Sequence, residues 1–382
     1  MIGLLLLVLL PFGAAIVFAV VLNGWRETVA RDASIHQPTA TITKDLPSVA
    51  MIVPARNAAG TITRLLQDLY AQNYDRDSVS VIVVDDSSED TTADTVRAMM
   101  PRWPKLELLQ CDGEGKKAAI TTGVLATGAE WILMTDADAR CGPERLRLLI
   151  EQVQRTACDL VLMPVATEGD GVLGRLQENE QAALMICAAA ETLQGKPMLA
   201  NGANLAFRRS AFMDVRGFQG DPYASGDDIF LVQRMRNAGK RISYLLQAGA
   251  IVRVEAERTW IGFFQQRLRW SGKMRGVPWQ DKWIPAMGLL FPWLLLVVTL
   301  SIDWPRVVGQ GFLMNALLIA GAWVLWLAVV PALVRDGKRF LGQRYSTAGA
   351  VLSYVAFTVY SPVLAVLGMI VKTQWKGRAL KG

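Results

Sequence analysis

The sequence predicts an α/β domain joined to a membrane-spanning region, and three observations predict it. Strand-like and helix-like segments alternate through the first half of the chain. Four stretches of about 20 residues or more carry no charged side chain. Pairs of acids stand at the ends of apolar runs. Of the 382 residues, 52% are hydrophobic. That share is high for a soluble protein and low for a pure membrane bundle, so the average hides two regimes.

The alternation runs in order. Residues 48–53 are apolar and β-branched and stop at Pro54. Residues 60–72 show helical spacing through Ile62, Leu65, Leu66 and Leu69. Strands are expected at 79–84, 106–109, 131–134 and 160–163, and helices at 89–99, 116–126 and 143–153. The strand runs lack in–out alternation, as in a mostly parallel sheet covered on both faces. Residues 171–256 are less regular.

The uncharged stretches are 2–22, 283–302, 312–334 and 346–371. The first lacks a basic leader segment and an A-x-A site, so it is expected to remain as an anchor rather than be cleaved. Ser361-Pro362 interrupts the fourth near its middle, which leaves a re-entrant path open. Bases crowd beside these stretches: Arg26 and Arg31; Arg267, Arg269, Lys273, Arg275 and Lys282; Arg335, Lys338, Arg339 and Arg344. They supply part of the net charge of +6, and the positive-inside rule places residues 23–282 in the cytoplasm. The expected organisation is an anchor over 1–22, a linker over 23–47 and a catalytic domain over 48–256. An interfacial amphipathic helix rich in Trp, Phe and Arg covers 257–282. A transmembrane region over 283–371 and a basic tail over 372–382 complete the chain.

The four cysteines, Cys111, Cys141, Cys158 and Cys187, show no paired spacing, so neither a disulfide framework nor a zinc site is indicated. The single histidine, His36, falls in the linker, which makes histidine chemistry an unpromising route. The acids are more informative. In an open α/β sheet, ligands bind beyond the carboxyl ends of the strands. Asp85-Asp86 follows one apolar run, Asp136-Ala137-Asp138 follows another, and Asp227-Asp228 follows a glycine turn. Two carboxylates at i and i+2 of an extended chain point the same way. Such a pair can hold Mg²⁺ or Mn²⁺, whose remaining ligands are phosphate and water. Helix capping is the plain alternative at 86–89 and 227–228, but it employs one Asp at each site and not two. Lys116 opens a helix after Gly113-Glu-Gly115, where backbone N–H groups and an ammonium could hold phosphate.

With these residues in order, the chain resembles the inverting glycosyltransferases of family GT2, with their GT-A fold, and the ceramide-glucosyltransferase-like membrane enzymes. The carriers are Val53-Pro54-Ala55-Arg56-Asn57, Val84-Asp85-Asp86-Ser87-Ser88, Gly115-Lys116, Asp136-Ala137-Asp138, Gly202-Ala203-Asn204, Gly226-Asp227-Asp228 and Gln266-Arg267-Leu268-Arg269-Trp270. They cover about residues 48–275. The resemblance implies that Pro54, Asn57, Asp85, Asp86 and Lys116 border the donor. It implies that Asp136 and Asp138 hold the metal, with Asp136 also facing the diphosphate. Asp228 is implied as the general base, with Asp227 as its rival. Gln266, Arg269 and Trp270 are implied to close the site.

The expected activity is transfer of a sugar, with inversion, from a nucleotide-sugar donor, by preference a UDP-sugar, to a lipid or lipid-linked acceptor at the inner membrane of a bacterium. A processive polysaccharide synthase is the alternative. No nucleic-acid partner is expected.

Overall fold

The computed structural model describes residues 2–35, 46–221, 226–301, 312–371, 374–375 and 378–379. His36 and most of the basic tail lie outside them. The central sheet has seven strands: β1 Val49–Ala55, β2 Val79–Asp85, β3 Leu106–Gln110, β4 Trp131–Met134, β6 Leu160–Leu162, β8 Leu205–Arg208 and β9 Ile242–Tyr244. Their spatial order is β3-β2-β1-β4-β8-β6-β9. β8 runs against both its neighbours, and every other pairing is parallel. A smaller sheet sets β10 (Val252–Glu255) between β5 (Arg140–Cys141) and β7 (Val165–Glu168). The sheet is therefore mostly parallel, as the apolar runs predict.

Alternate residues of β1 serve opposite faces. Val49, Met51 and Val53 pack with helices α2 (Ile62–Tyr70) and α5 (Arg145–Thr156). Ala50 and Ile52 pack with α4 (Lys116–Leu125). The four predicted apolar positions of α2, Ile62, Leu65, Leu66 and Leu69, are all buried. Each buried leucine contributes about 1.5–3 kcal/mol. α4 lies close to β1: a Cβ on Gly123 would stand 2.8 Å from Ile52 Cγ2. The helix expected from residue 89 begins later, as α3 (Thr92–Met99), because the Asp90 side chain accepts a hydrogen bond from the Thr92 N–H at 3.0 Å and starts the helix there.

Three parts of the membrane-proximal organisation differ from expectation. Helix α1 runs from Ile2 to Ile35, so residues 23–35 are helix rather than linker. Ala15, Phe18, Leu22, Trp25 and Val29 form one buried stripe that carries the helix past its uncharged stretch, and Arg26 meets Asp336 at 2.6 Å. The irregular region contains a 23-residue helix, α6 (Gly171–Leu193). It has no single apolar stripe because it is buried on several sides, against β7 on one and α1 and the C-terminal helices on the others. The third difference concerns the last apolar stretch. Helices α10 (Trp283–Ser301), α11 (Phe312–Phe340) and α12 (Thr347–Ile370) follow the catalytic region, and α12 is continuous through Pro362. Ser361 Oγ donates to the Phe357 carbonyl in the turn before the proline. The helix therefore carries no break at Ser361-Pro362.

Four helical segments are long and apolar enough to cross a membrane: Leu9–Ala33, Trp283–Ser301, Leu313–Phe340 and Thr347–Gly368. Their outer faces expose Leu290, Leu300, Leu313, Val324, Leu352 and Ile370, an arrangement suited to lipid. The core on the α4 face of the sheet is continuous with this bundle through Phe18, Trp25, Leu295 and Trp326.

The aromatic-basic segment at 257–282 forms a shorter helix than predicted, α9 (Trp260–Lys273), followed by 3₁₀ turns at Met274–Gly276 and Trp279–Asp281. Thr259 Oγ1 accepts from the Gly262 N–H at 3.1 Å and caps it. Trp260, Ile261 and Phe264 are exposed, while Phe263 is fully buried.

Candidate active site

The carboxyl ends of β1, β2 and β4 lie side by side, and the acids follow from that register. The loop after β1 and the loop after β2 are tied together. Arg56 is buried and donates to the carbonyls of Asp86 and Ser87, each at 2.8 Å, and to Glu89 Oε1 at 3.1 Å. Asn57 and Ser87 both adopt left-handed backbone (φ 48° and 52°). The Asn57 N–H donates to Ser88 Oγ at 3.0 Å, and Asn57 Oδ1 accepts from the Glu89 N–H at 2.8 Å. Pro54 sits at the end of β1 opposite Val84.

The two acids after β2 face different ways. Asp86 is buried, and its Oδ2 accepts from the Gly115 N–H at 3.2 Å, which joins β2 to the start of α4. Asp85 turns back on its own loop and accepts from the Ser88 N–H at 3.3 Å. Neither acid caps α3, whose start belongs to Asp90. Gly115 needs its positive φ of 88° to aim the chain into α4, and so to aim Lys116.

Lys116 stands at the centre of the site. Its Nζ lies 2.7 Å from Asp136 Oδ1 and 3.0 Å from Asp227 Oδ2. Burial opposes the charge on this ammonium, yet the carboxylates of Asp136 and Asp227 outweigh it and raise its pKa above the ordinary lysine value. Burial likewise pushes the Asp227 carboxyl upward, but Lys116 and Lys273 overcome it and hold the group below its usual range. Asp227 Oδ2 is close to Lys116 as an ion pair while making no hydrogen bond of good angle. Space for this cluster depends on Gly202. A Cβ there would stand 2.6 Å from Asp227 Oδ2 and 2.9 Å from Lys116 Nζ. Residues 202–204 arrive beside the D-x-D because β8 is antiparallel, pairing Leu205 with Met134.

Asp138 is exposed and Asp136 is partly buried. Among the described residues, no three His, Cys, Asp or Glu side chains gather as a closed metal cage. The donor set is instead the one that suits a hard cation sharing its shell with phosphate: two carboxylates at a strand end, one of them accessible.

Asp228 does cap a helix, α8 (Ile229–Asn237), with Oδ1 accepting from the Ile229 N–H at 2.8 Å. It also does more. Lys273 Nζ, at the end of α9, donates to Asp228 Oδ1 at 3.0 Å and Oδ2 at 3.2 Å. Arg269, one turn earlier, lies in the field of Asp227, Asp136, Glu257 and Asp228; its burial moves its pKa below the ordinary arginine value despite those acids. Gln266 Nε2 donates to Glu257 Oε1 at 3.2 Å. Trp270 lies beneath the Arg267 guanidinium, which stands 4.2 Å above its ring and 2.8 Å from Glu180 Oε2.

Two residues escaped the sequence reading as parts of the site. Lys273 was grouped with the membrane-flanking bases. Its signal was spacing: Gln266, Arg269 and Lys273 fall at i, i+3 and i+7, on one face of a helix. Arg145 is fully buried beneath the D-x-D. It donates to Asn204 Oδ1 at 2.9 Å, Thr135 Oγ1 at 2.7 Å and the Met134 carbonyl at 3.1 Å, and burial lowers its pKa. Asn204 in turn donates to the carbonyls of Pro164 and Ala250 at 2.7 and 2.8 Å. The clue was an arginine in register with the apolar face Leu146, Leu149, Ile150 and Val153.

A sequence profile described as glycosyl transferase family 2 matches residues 50–216. A probable glycosyltransferase of Bacillus subtilis, YdaM, is 27% identical over 247 residues, which is 60% of this chain and 55% of that protein. A beta-monoglucosyldiacylglycerol synthase of Trichormus variabilis is 25% identical over 67% of this chain and 56% of its own length. The chain thus spans about half the length of these curated relatives. Among solved structures, the mannosyltransferase PcManGT of Pyrobaculum calidifontis, in complex with GDP-Man and Mn²⁺, superposes with a TM-score of 0.55 at 21% identity. The match covers 94% of this chain and 98% of that one.

Proposed function

We propose that this chain, whose residues 50–216 match the glycosyl transferase family 2 profile, transfers a sugar, with inversion, from a nucleotide-sugar donor to a lipid or lipid-linked acceptor. One observation carries the proposal. Asp136, Asp227 and Asp228 converge with Lys116 and Lys273 at the strand ends, and the helix supplying Lys273 packs against α12.

The roles follow from position. Pro54, Asn57, Asp85 and Asp86 form the rim for the nucleoside. Lys116 and Arg269 supply fixed positive charge for the diphosphate. Asp136 and Asp138 would hold Mg²⁺ or Mn²⁺, which when bound neutralises charge on the departing diphosphate. Asp228 takes the proton of the acceptor hydroxyl. The acceptor oxygen then forms its bond to the anomeric carbon while the bond from that carbon to the diphosphate breaks, and the leaving group departs with the electron pair. A positioned carboxylate base contributes about 10²–10⁴-fold. Gln266 and Trp270 fix the helix that closes this face. The exposed Trp260, Ile261 and Phe264 would lie at the lipid boundary, where an acceptor arrives from the bilayer. The flanking bases favour a cytoplasmic catalytic domain.

The donor of the PcManGT structure is a GDP-sugar and the resemblance favours UDP, so both belong in the test. Purified protein is given radiolabelled UDP- and GDP-sugars with membrane lipid extract, with Mg²⁺, Mn²⁺ or EDTA. Label entering an organic-extractable product only with metal is the expected result. Label retained in a large polymer would replace it with a processive synthase.

A further inference from the structure

We propose that Lys273 is a positioning residue for the transfer reaction, clamping Asp228 so that Oδ2 is presented to the acceptor, and that the membrane helix α12 sets this clamp. The inference rests on Asp228 being the base.

Asp228 Oδ1 has two donors, the Ile229 N–H at 2.8 Å and the Lys273 ammonium at 3.0 Å. Oδ2 has the longer contact to the same ammonium, 3.2 Å. The carboxylate plane is therefore pinned from one side, and Oδ2 is the oxygen with lone-pair capacity left for a hydroxyl. Both partners are more than nine-tenths buried, so the pair is little screened by solvent. Arg269 and Lys116 are the other cations whose field reaches Asp228, and Asp227 and Asp136 are the nearby acids. Lys273 is the cation in direct contact.

Lys273 is the last residue of α9, and the turn around it rests on α12. A Cβ on Gly368 would stand 2.8 Å from Ser271 Cβ and 3.3 Å from both the Gly272 nitrogen and the Leu268 carbonyl oxygen. Arg275 donates to the Gly368 carbonyl at 2.7 Å, so the segments on either side of Lys273 are held by one point of α12. Two turns or more earlier in α9, Phe263 and Phe264 meet Tyr360 edge-on, with ring centroids 5.5 and 6.2 Å apart. The close crossing and the hydrogen bond together fix where the ammonium reaches.

The test compares Lys273→Met, Lys273→Arg, Gly368→Leu, Asp228→Asn and the Lys273→Met/Asp228→Asn double variant, as full chains in lipid. In Lys273→Met kcat should fall by about 10–10²-fold, as for a base displaced from its working position. The donor KM should stay within about threefold, because the contact is not to donor. Lys273→Arg, which keeps a cation against Asp228, should restore most of that kcat. Gly368→Leu, which leaves Lys273 in place but displaces its turn, should lower kcat in the same way by less. The double variant should be no worse than Asp228→Asn alone. If Asp228→Asn is inactive while Lys273→Met keeps the parent kcat, the clamp is overturned and the base assignment stands. If Asp228→Asn is active, the base assignment falls and takes the clamp with it. An unchanged kcat in folded Gly368→Leu removes the membrane helix from the device.

Discussion

The proposed donor side and the proposed acceptor side of this site are built in different ways. On the donor side, Pro54, Asn57, Asp85, Asp86 and Asp136 follow directly from strand ends whose parallel register sets them side by side. Loops of a few residues then fix them, as Arg56 does by spanning 30 residues to Asp86. On the acceptor side, no strand end delivers the key groups. Asp228 starts a helix, its partner Lys273 ends another helix 45 residues later, and that helix packs against the apolar α12. The donor side is a property of the sheet; the acceptor side is a property of how helices cross.

The contrast predicts distinct failures. Asp228→Asn should lower kcat by about 10²–10⁴-fold with donor affinity nearly unchanged, measured by turnover beside calorimetric donor titration. Loss of donor binding in that variant would merge the two sides. Asp138→Asn should lower kcat by roughly 10²–10³-fold and also weaken donor binding in the presence of metal. Full activity there would remove the D-x-D from the chemistry. Gly202→Ala sits on the border between the sides. Its added carbon must displace Lys116 or Asp227, and a misplacement of about 1 Å costs on the order of 10²-fold in rate. Unchanged kinetics would mean that the Lys116–Asp227 spacing does not matter.

The smallest effect concerns stability on the acceptor side. Burial pushes the Glu191 carboxyl, near the end of α6, up to about 8, with Asp281 adding to burial and Arg236 opposing it. The folded protein then keeps a proton that the unfolded chain loses near pH 4.5. Stability from this group is complete below that pH and is lost as pH rises toward 8. Glu191→Gln, which cannot lose the proton, should raise Tm at pH 8 relative to the parent, by about 1–3 kcal/mol of stability, with little change at pH 5. Equal shifts at both pH values would show that the carboxyl is ionised throughout.

The same division explains what could be read from the sequence. The strands, the helix of Ile62, Leu65, Leu66 and Leu69, and the acids after Val84 and Thr135 were legible because each is a local pattern of period and punctuation. The α6 helix was not, since burial on several sides erases the stripe that marks a helix. Residues 23–35 were read as linker because charge returns after Leu22, whereas Trp25 and Val29 continue the buried stripe. Pro362 suggested a break, yet the surrounding helices carry α12 through it. Lys273 was visible only as charge, because its meaning depends on where α9 ends relative to a strand-end acid far away in the chain.

The burial of α6 also limits how far this molecule can be divided. Lys338 on α11 is almost wholly enclosed and holds Glu178 at 2.7 Å. Gly337 lets α11 approach so near that a Cβ would stand 2.3 Å from the Ala182 carbonyl oxygen. Asn179 donates to Ser353 on α12 at 2.9 Å. Cutting the chain before α10 would leave α6 with an unpaired carboxylate and a bare backbone groove in the very layer that supports the sheet. Secretable or soluble fragments of such a protein therefore lack part of their own interior, and insertions or domain fusions belong at the loops leading into β2 and β3, at the sheet end away from the acids and from this shared layer.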